Sequence, residues 1–184
     1  MEIKNKVIVV TGGAGGIGLA IAKEFLNHDP KIIILADISF ENKHDTHEKL
    51  INKKCDISNE VEINALIDQV NNEFGLIDIF CSNAGILTLG NEQSSNEDWN
   101  KNWNLHVMAH VYAAKKLIPD MIDRGSGYFV NTSSAAGLLS HIDSVTYSTT
   151  KHAAIGFAEW IAITYGKQGI GVSILCPQAV KTSM

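Results

Sequence analysis

Long apolar runs, blocks of like charge and clusters of cysteine are all missing from this chain of 184 residues. The first apolar stretch, Val7 to Thr11, is far shorter than the ~20 residues a membrane-spanning helix needs. It leads straight into glycines, so it does not read as a signal peptide. The basic residues are scattered and the formal net charge is -5, which argues against nucleic acid, whose binding relies on clustered Lys and Arg. Cys55, Cys81 and Cys176 are widely separated and show no metal-ligand spacing. They read as reduced, buried thiols of a cytoplasmic protein. No repeat, low-complexity tract or Pro/Ser-rich linker divides the chain. With 45% hydrophobic and 19% charged residues, 1–184 reads as a single domain with its own core. Any active site must be built into that same domain.

Short apolar runs alternate with longer helical patterns. Val7–Thr11, Ile32–Asp37, Ile77–Ser82, Gly127–Thr132 and Gly171–Cys176 are rich in Val and Ile on consecutive positions and predict strands buried on both faces. A weaker strand is expected near Lys53–Cys55. Helical patterns cover Gly16–Asn27, Glu60–Phe74, Glu97–Arg124 and Thr146–Gln168, with Asp29-Pro30, Gly75, Gly125 and Gly169 marking their ends. This alternation predicts an α/β fold, a doubly wound parallel sheet with ligands at the carboxyl ends of its strands.

The first strand is followed by Thr11-Gly12-Gly13-Ala14-Gly15-Gly16-Ile17-Gly18 and then a helix. Glycines there allow a tight turn and bring backbone N–H groups to a pyrophosphate at the positive helix N-terminus. The placement between strand and helix makes this dinucleotide signal stronger than glycines alone. Asp37 ends the second strand, 19 residues beyond Gly18. A carboxylate there accepts from both hydroxyls of an adenosine ribose and repels a 2′-phosphate. No Lys or Arg in the turn or just after Asp37 compensates, so NAD is expected rather than NADP. Asp56-Ile57-Ser58 and Asn83-Ala84-Gly85 follow the third and fourth strands, where the sheet edge meets the adenosine; alone they read equally well as a helix start and a loop.

Tyr147 and Lys151 are four apart at a helix start, on one face. An ammonium beside a phenol stabilises the phenolate and makes tyrosine a usable acid–base group. Ser134 follows the fifth strand, where a hydroxyl can hold a substrate carbonyl. Together with Pro177-x-x-Val180-x-Thr182, these segments stand in an order and spacing that resembles the short-chain dehydrogenase/reductase family from about Val7 to Thr182. The resemblance implies a Rossmann fold, a nicotinamide cofactor and hydride transfer between cofactor and an alcohol or carbonyl carbon. It makes Tyr147 the general acid/base, Ser134 the residue that positions the substrate oxygen, and Lys151 the partner of both the tyrosine and the nicotinamide ribose. It sets Gly12, Gly15, Gly16, Ile17 and Gly18 at the pyrophosphate. Asp37, Asp56, Ile57, Asn83, Ala84 and Gly85 fall at the adenosine end, and Pro177, Val180 and Thr182 beside the nicotinamide.

Three departures from the family pattern matter. His106 stands where the family carries its fourth catalytic residue, an asparagine whose place is in a proton-conducting chain to the lysine. Nearby Asn104 is no simple substitute, because two residues along a helix turn a side chain by about 200°. The imidazole either relays protons itself or blocks the relay, or the change has little consequence. His106 and His110 also have a spacing that can hold zinc, but with no third ligand in view no metal is expected. Gln178 replaces a usual glycine after Pro177, and the chain stops at Met184, where family members continue into a substrate-covering segment, a last helix and an edge strand. An incomplete sequence is the simplest expectation.

The apolar surface of the Thr146–Gln168 helix and the tryptophans of the preceding one lead us to expect a homodimer or homotetramer. Ala136, Leu138, Leu139, His141 and Ile142 suggest a moderately hydrophobic alcohol or ketone. Two further readings compete with the dehydrogenase. One is an NAD-binding pseudoenzyme or regulatory protein, motivated by His106 and the abrupt end. The other is an epimerase or dehydratase, a reaction that the same Tyr–Lys pair also serves.

Overall fold

The computed structural model describes residues 1–40 and 47–181. Six parallel strands form one sheet in the order β3-β2-β1-β4-β5-β6. They are β1 (Val7–Thr11), β2 (Ile32–Asp37), β3 (Leu50–Lys54), β4 (Ile79–Ser82), β5 (Gly127–Thr132) and β6 (Ile170–Leu175). The helices are α1 (Gly16–Leu26), α2 (Glu60–Phe74), α3 (Asn96–Trp103), α4 (Ala109–Asp123) and α5 (Val145–Tyr165). The strand order reverses between β1 and β4, opening a crevice at their carboxyl ends of the kind that accepts ligands in doubly wound folds.

The continuous apolar runs arise because alternate residues serve two cores. Val7, Val9, Ile32 and Ile34 pack with residues of α2, α4 and α5, while Ile8, Val10, Ile33 and Leu35 pack on the α1 side. Each of these side chains is worth roughly 1.5–3 kcal/mol when taken out of water. The α1–β2 connection is fixed by Asp29 at φ 51, whose carbonyl accepts from Asn5 N–H.

Several boundaries differ from the sequence expectation. The strand expected at Lys53–Cys55 is Leu50–Lys54, an edge strand with half its residues wet, which is why its apolar signal is thin. Ile77 and Asp78 precede β4; the Asp78 carboxylate accepts from Val7 N–H and pairs with Lys6. The last strand is Ile170–Leu175 and is not buried on both faces: Ser173 and Leu175 are exposed. The expected helix Glu97–Arg124 is three pieces, with α3 and α4 joined by one wide π-helical stretch, Asn104–Met108. Such wide turns are rare and recur at functional sites. No helix among the described residues is long and apolar enough to cross a membrane. Cys176 is half-buried rather than buried, while Cys55 and Cys81 lie in the core, and all three are free thiols.

Candidate active site

A cleft of about 620 Å³ opens at the carboxyl edge of the sheet. Gly12, Gly15, Gly16, Ile17, Asp37, Asp56, Ile57, Asn83, Ala84, Gly85, Tyr147, Lys151 and Pro177 line it. Gly18, His106 and Ser134 are not among its lining residues, whereas Ser133, next to Ser134, is. Val180 is 51% exposed and outside the lining, and Thr182 lies outside the described residues.

The glycine end is shaped by close approach of main-chain segments and held by side chains bonded to main-chain groups. Gly12 and Gly16 have φ of 65° and 51°, in the left-handed region where a Cβ is penalised. A Cβ on Gly18 would stand 2.2 Å from the Gly12 carbonyl oxygen, so only glycine lets the helix approach its own turn. The Thr11 hydroxyl donates to the Cys81 carbonyl (3.2 Å) and accepts from the N–H groups of Asn83 (2.9 Å) and Ala84 (3.2 Å). The Asn83 amide donates back to the Thr11 carbonyl at 3.0 Å. Thr11 therefore clamps β1 to the loop after β4, a role that sequence reading gave to no residue. Helix α1 starts at Gly15 with no side-chain cap and no acidic residue in its first turn, leaving its first amides as donors for an anion. Asp37 accepts from Ala14 N–H (3.0 Å) and Ile38 N–H (2.8 Å), which fixes the carboxylate at the edge of the cleft with lone pairs to spare. One Asp56 carboxylate oxygen is engaged by the Ser58 N–H (2.9 Å) and hydroxyl (2.7 Å).

The opposite end is built from buried side chains. Ser144 caps α5 by accepting from Tyr147 N–H, and its hydroxyl donates to the Thr88 carbonyl. Gly90 N–H to Asp143 carbonyl (2.8 Å) and Val145 N–H to Gly90 carbonyl (3.1 Å) tie the loop after β4 to the start of α5. Lys151 donates to the Thr132 carbonyl at 3.0 Å and its Nζ lies 5.6 Å from the centre of the Tyr147 ring. Burial pushes the Lys151 ammonium down to about 8. Ser133 donates to the Lys151 carbonyl at 2.9 Å, and the Ser134 hydroxyl accepts from Ala136 N–H at 3.1 Å, which orients it at the end of β5.

His106 is fully buried on the π-helical stretch. Its ring stands edge-on to Tyr147, 5.5 Å between centres and 88° between planes. Burial, then the Lys151 charge, pushes its imidazole down to about 2; burial likewise pushes His110 down to about 3. Both rings are therefore neutral near neutral pH, and His106 does not titrate there as its ordinary value would suggest. The two histidines hold no metal set: among the described residues no three His, Cys, Asp or Glu side chains gather around a common point. Gln178 costs no backbone strain, because among described non-glycine residues only Asn5 and Asp29 have positive φ. Leu138, Leu139 and Ile142 are exposed and do not line the cleft, so the apolar wall expected from the sequence is not part of its lining. Lys101, Asn104 and Leu105 also line the cleft, brought there by the α3 end that the sequence merged into one long helix.

The family model for short chain dehydrogenase matches residues 6–184. Epidermal retinol dehydrogenase 2 of Mus musculus is 31% identical across the whole chain, which spans 63% of that protein's length. Meso-2,3-butanediol dehydrogenase of Serratia marcescens is 28% identical, again over the whole chain and 75% of that protein. Among solved structures, a short chain dehydrogenase/reductase from Burkholderia phymatum in complex with NAD superposes with a TM-score of 0.89 at 28% identity, covering 99% of this chain and 68% of that one.

Proposed function

The chain belongs to the short-chain dehydrogenase family, and from that membership we propose that it exchanges hydride between NAD(H) and an alcohol or carbonyl substrate, with Tyr147 as the proton-transferring group. The observation that carries the reading is the Tyr147–Lys151 pair, seated on one helix face at the cleft, with the ammonium buried and bonded to the Thr132 carbonyl. When bound, a nicotinamide supplies the hydride chemistry; every other part falls to this chain.

The residues fit that cofactor. The close-packed glycines and the uncapped start of α1 suit a pyrophosphate, and the oriented Asp37 carboxylate suits two free ribose hydroxyls and disfavours a 2′-phosphate. Lys151 stabilises the Tyr147 phenolate by its charge. Ser134, its hydroxyl proton still available, donates to the substrate oxygen. Retinol and butanediol, after which two of the relatives are named, are both alcohols, and the exposed Leu138, Leu139 and Ile142 suit one with an apolar substituent. Exposed Trp160 and Ile163 on α5 suit the second subunit of a homo-oligomer; a monomer mass in light scattering removes that part.

The test separates binding from turnover. NADH should bind more tightly than NADPH in a fluorescence titration, and tighter NADPH removes the Asp37 argument. In a panel of secondary alcohols, Tyr147→Phe should lose about 10²–10⁴ in kcat while keeping its NADH affinity. Tyr147→Phe matching the wild type in rate removes the catalytic role. Binding without turnover in either protein favours the NAD-binding, non-catalytic reading.

A further inference from the structure

The hydrogen atoms around His106 can be assigned by elimination. The Ile86 N–H, which can only donate, points at Nε2 from 3.1 Å, so Nε2 carries a lone pair. A neutral imidazole then has its single proton on Nδ1, which faces the Thr150 hydroxyl oxygen at 2.9 Å. That hydroxyl has one hydrogen, already directed to the carbonyls of Thr146 (2.8 Å) and Tyr147 (3.2 Å) one turn back on α5. Thr150 therefore accepts from His106, and each group fills one role with no conflict. A second ring proton would have to sit on Nε2, facing the Ile86 N–H hydrogen, inside a site that is fully buried.

We propose that His106 is a positioning residue, fixed as its neutral Nδ1–H tautomer, which ties the cofactor-side loop ending at Ile86 to the face of α5 that carries Tyr147 and Lys151, and which carries no proton during the reaction.

The geometry gives the tie a purpose. Gly85, next to Ile86, lies so close that a Cβ there would stand 3.3 Å from His106 Nε2 and 3.5 Å from Lys151 Nζ. Loop, imidazole and lysine thus share one contact point. The edge of the imidazole also supports the Tyr147 ring from the side. The titratable groups that face His106 are Lys151 and Tyr147 from α5 and His110 from α4. Neither lysine nor a second histidine would stabilise an added positive charge, which agrees with the assignment. The wide turn at Asn104–Met108 carries the ring into this position, between two elements that a regular helix phase would not bring it to.

The inference rests on the reading of Tyr147 and Lys151 as the reacting pair, so the test has one arm independent of turnover. Nitrogen-15 NMR of histidine-labelled protein should show His106 as the Nδ1–H tautomer, unchanged from about pH 5 to about pH 9. An Nε2–H tautomer, or titration within that window, overturns the proposal whatever the activity. In the second arm, His106→Ala should lose about tenfold or more in kcat/KM without a change in the shape of its pH profile. His106→Asn, whose amide can accept from Ile86 and donate to Thr150, should regain most of that loss. Added imidazole should restore nothing. His106→Asn remaining as low as His106→Ala, or imidazole restoring the rate, overturns the proposal. If His106→Ala does not fold, the wild-type spectrum and His106→Asn decide. Should the wild type turn over no substrate while the NMR result holds, the family reading of activity fails and the assignment of the ring stands.

Discussion

At the glycine end of the cleft the site is set by how closely main-chain segments approach one another, whereas at the Tyr147–Lys151 end it is set by buried polar side chains bonded to the main chain and to one another. The buried polar and charged residues show the same division: all but Thr11 and Ser82 lie after residue 100. The first end depends on where chains can approach, and glycine answers that with the absence of a Cβ. The second depends on donors and acceptors that find partners in a medium of low dielectric, where an unmatched group is costly. The two ends should therefore fail in different ways, sterically at the turn and electrostatically behind Tyr147.

The largest effect is expected at Gly18. Its Cβ would stand 2.2 Å from the Gly12 carbonyl oxygen and 2.7 Å from the Asn83 amide nitrogen, and a main-chain atom cannot turn aside as a side chain can. Gly18→Ala should cost about 3 kcal/mol, beyond the ~1 kcal/mol that alanine returns in helix propensity. Urea denaturation with NADH titration checks both stability and binding, and each should fall. A variant of wild-type stability would show that the turn relaxes easily and would erase the contrast between the two ends.

A smaller effect, set by pH, should belong to the other end. In the unfolded chain His106 and His110 take up protons near their ordinary value of about 6.5, while in the folded chain burial holds them neutral down to about 2 and about 3. Below about pH 6.5 the unfolded state thus binds more protons, and stability falls as pH falls. The contribution is intact above about 6.5 and is lost at up to about 1.4 kcal/mol per histidine for each pH unit below it. Urea midpoints measured at pH 7.5 and pH 5 should fall in the wild type and fall less steeply in His110→Gln. Equal slopes in the two proteins would mean that His110 is not buried as a neutral ring.

These two ends also differ in how far the sequence discloses them. The strands from Val7 and Ile32 are legible because burial on both sides keeps almost every position of the run apolar. The turn is legible because backbone approach demands glycine itself, and Asp37 because it ends a strand at a fixed distance from that turn. Tyr147 and Lys151 are visible as a spacing on one helix. By contrast, the wide turn at Asn104–Met108 is hidden, since Trp99, Trp103, Val107 and Val111 keep a spacing of four that reads as one unbroken helix. The partners of His106 are hidden for a different reason. Thr150 is 44 residues away, and its role depends on how α5 lies against that turn, which no local pattern records. The clamp made by Thr11 escapes for the same cause, because its partners lie 70 or more residues away, in β4 and the loop after it.

The smallest expected effect on stability separates the two duties of the glycine turn from one another. Gly15 has φ near -175°, an extended conformation open to any residue, and a Cβ built on it meets nothing within 4 Å. Gly15→Ala should therefore change stability by less than about 0.5 kcal/mol. Yet Gly15 lines the cleft at the start of α1, so the added methyl would occupy space that a pyrophosphate needs in order to reach the helix amides. The variant should fold as the wild type does and bind NADH about tenfold more weakly, a difference of about 1.4 kcal/mol. Loss of stability in Gly15→Ala comparable to that in Gly18→Ala would mean the turn is intolerant throughout and its open positions are not truly open. Unchanged NADH affinity would mean the phosphates do not approach α1 at this residue. Only stability retained with affinity lost fits a turn in which Gly18 allows the chain to close and Gly15 leaves room for the cofactor.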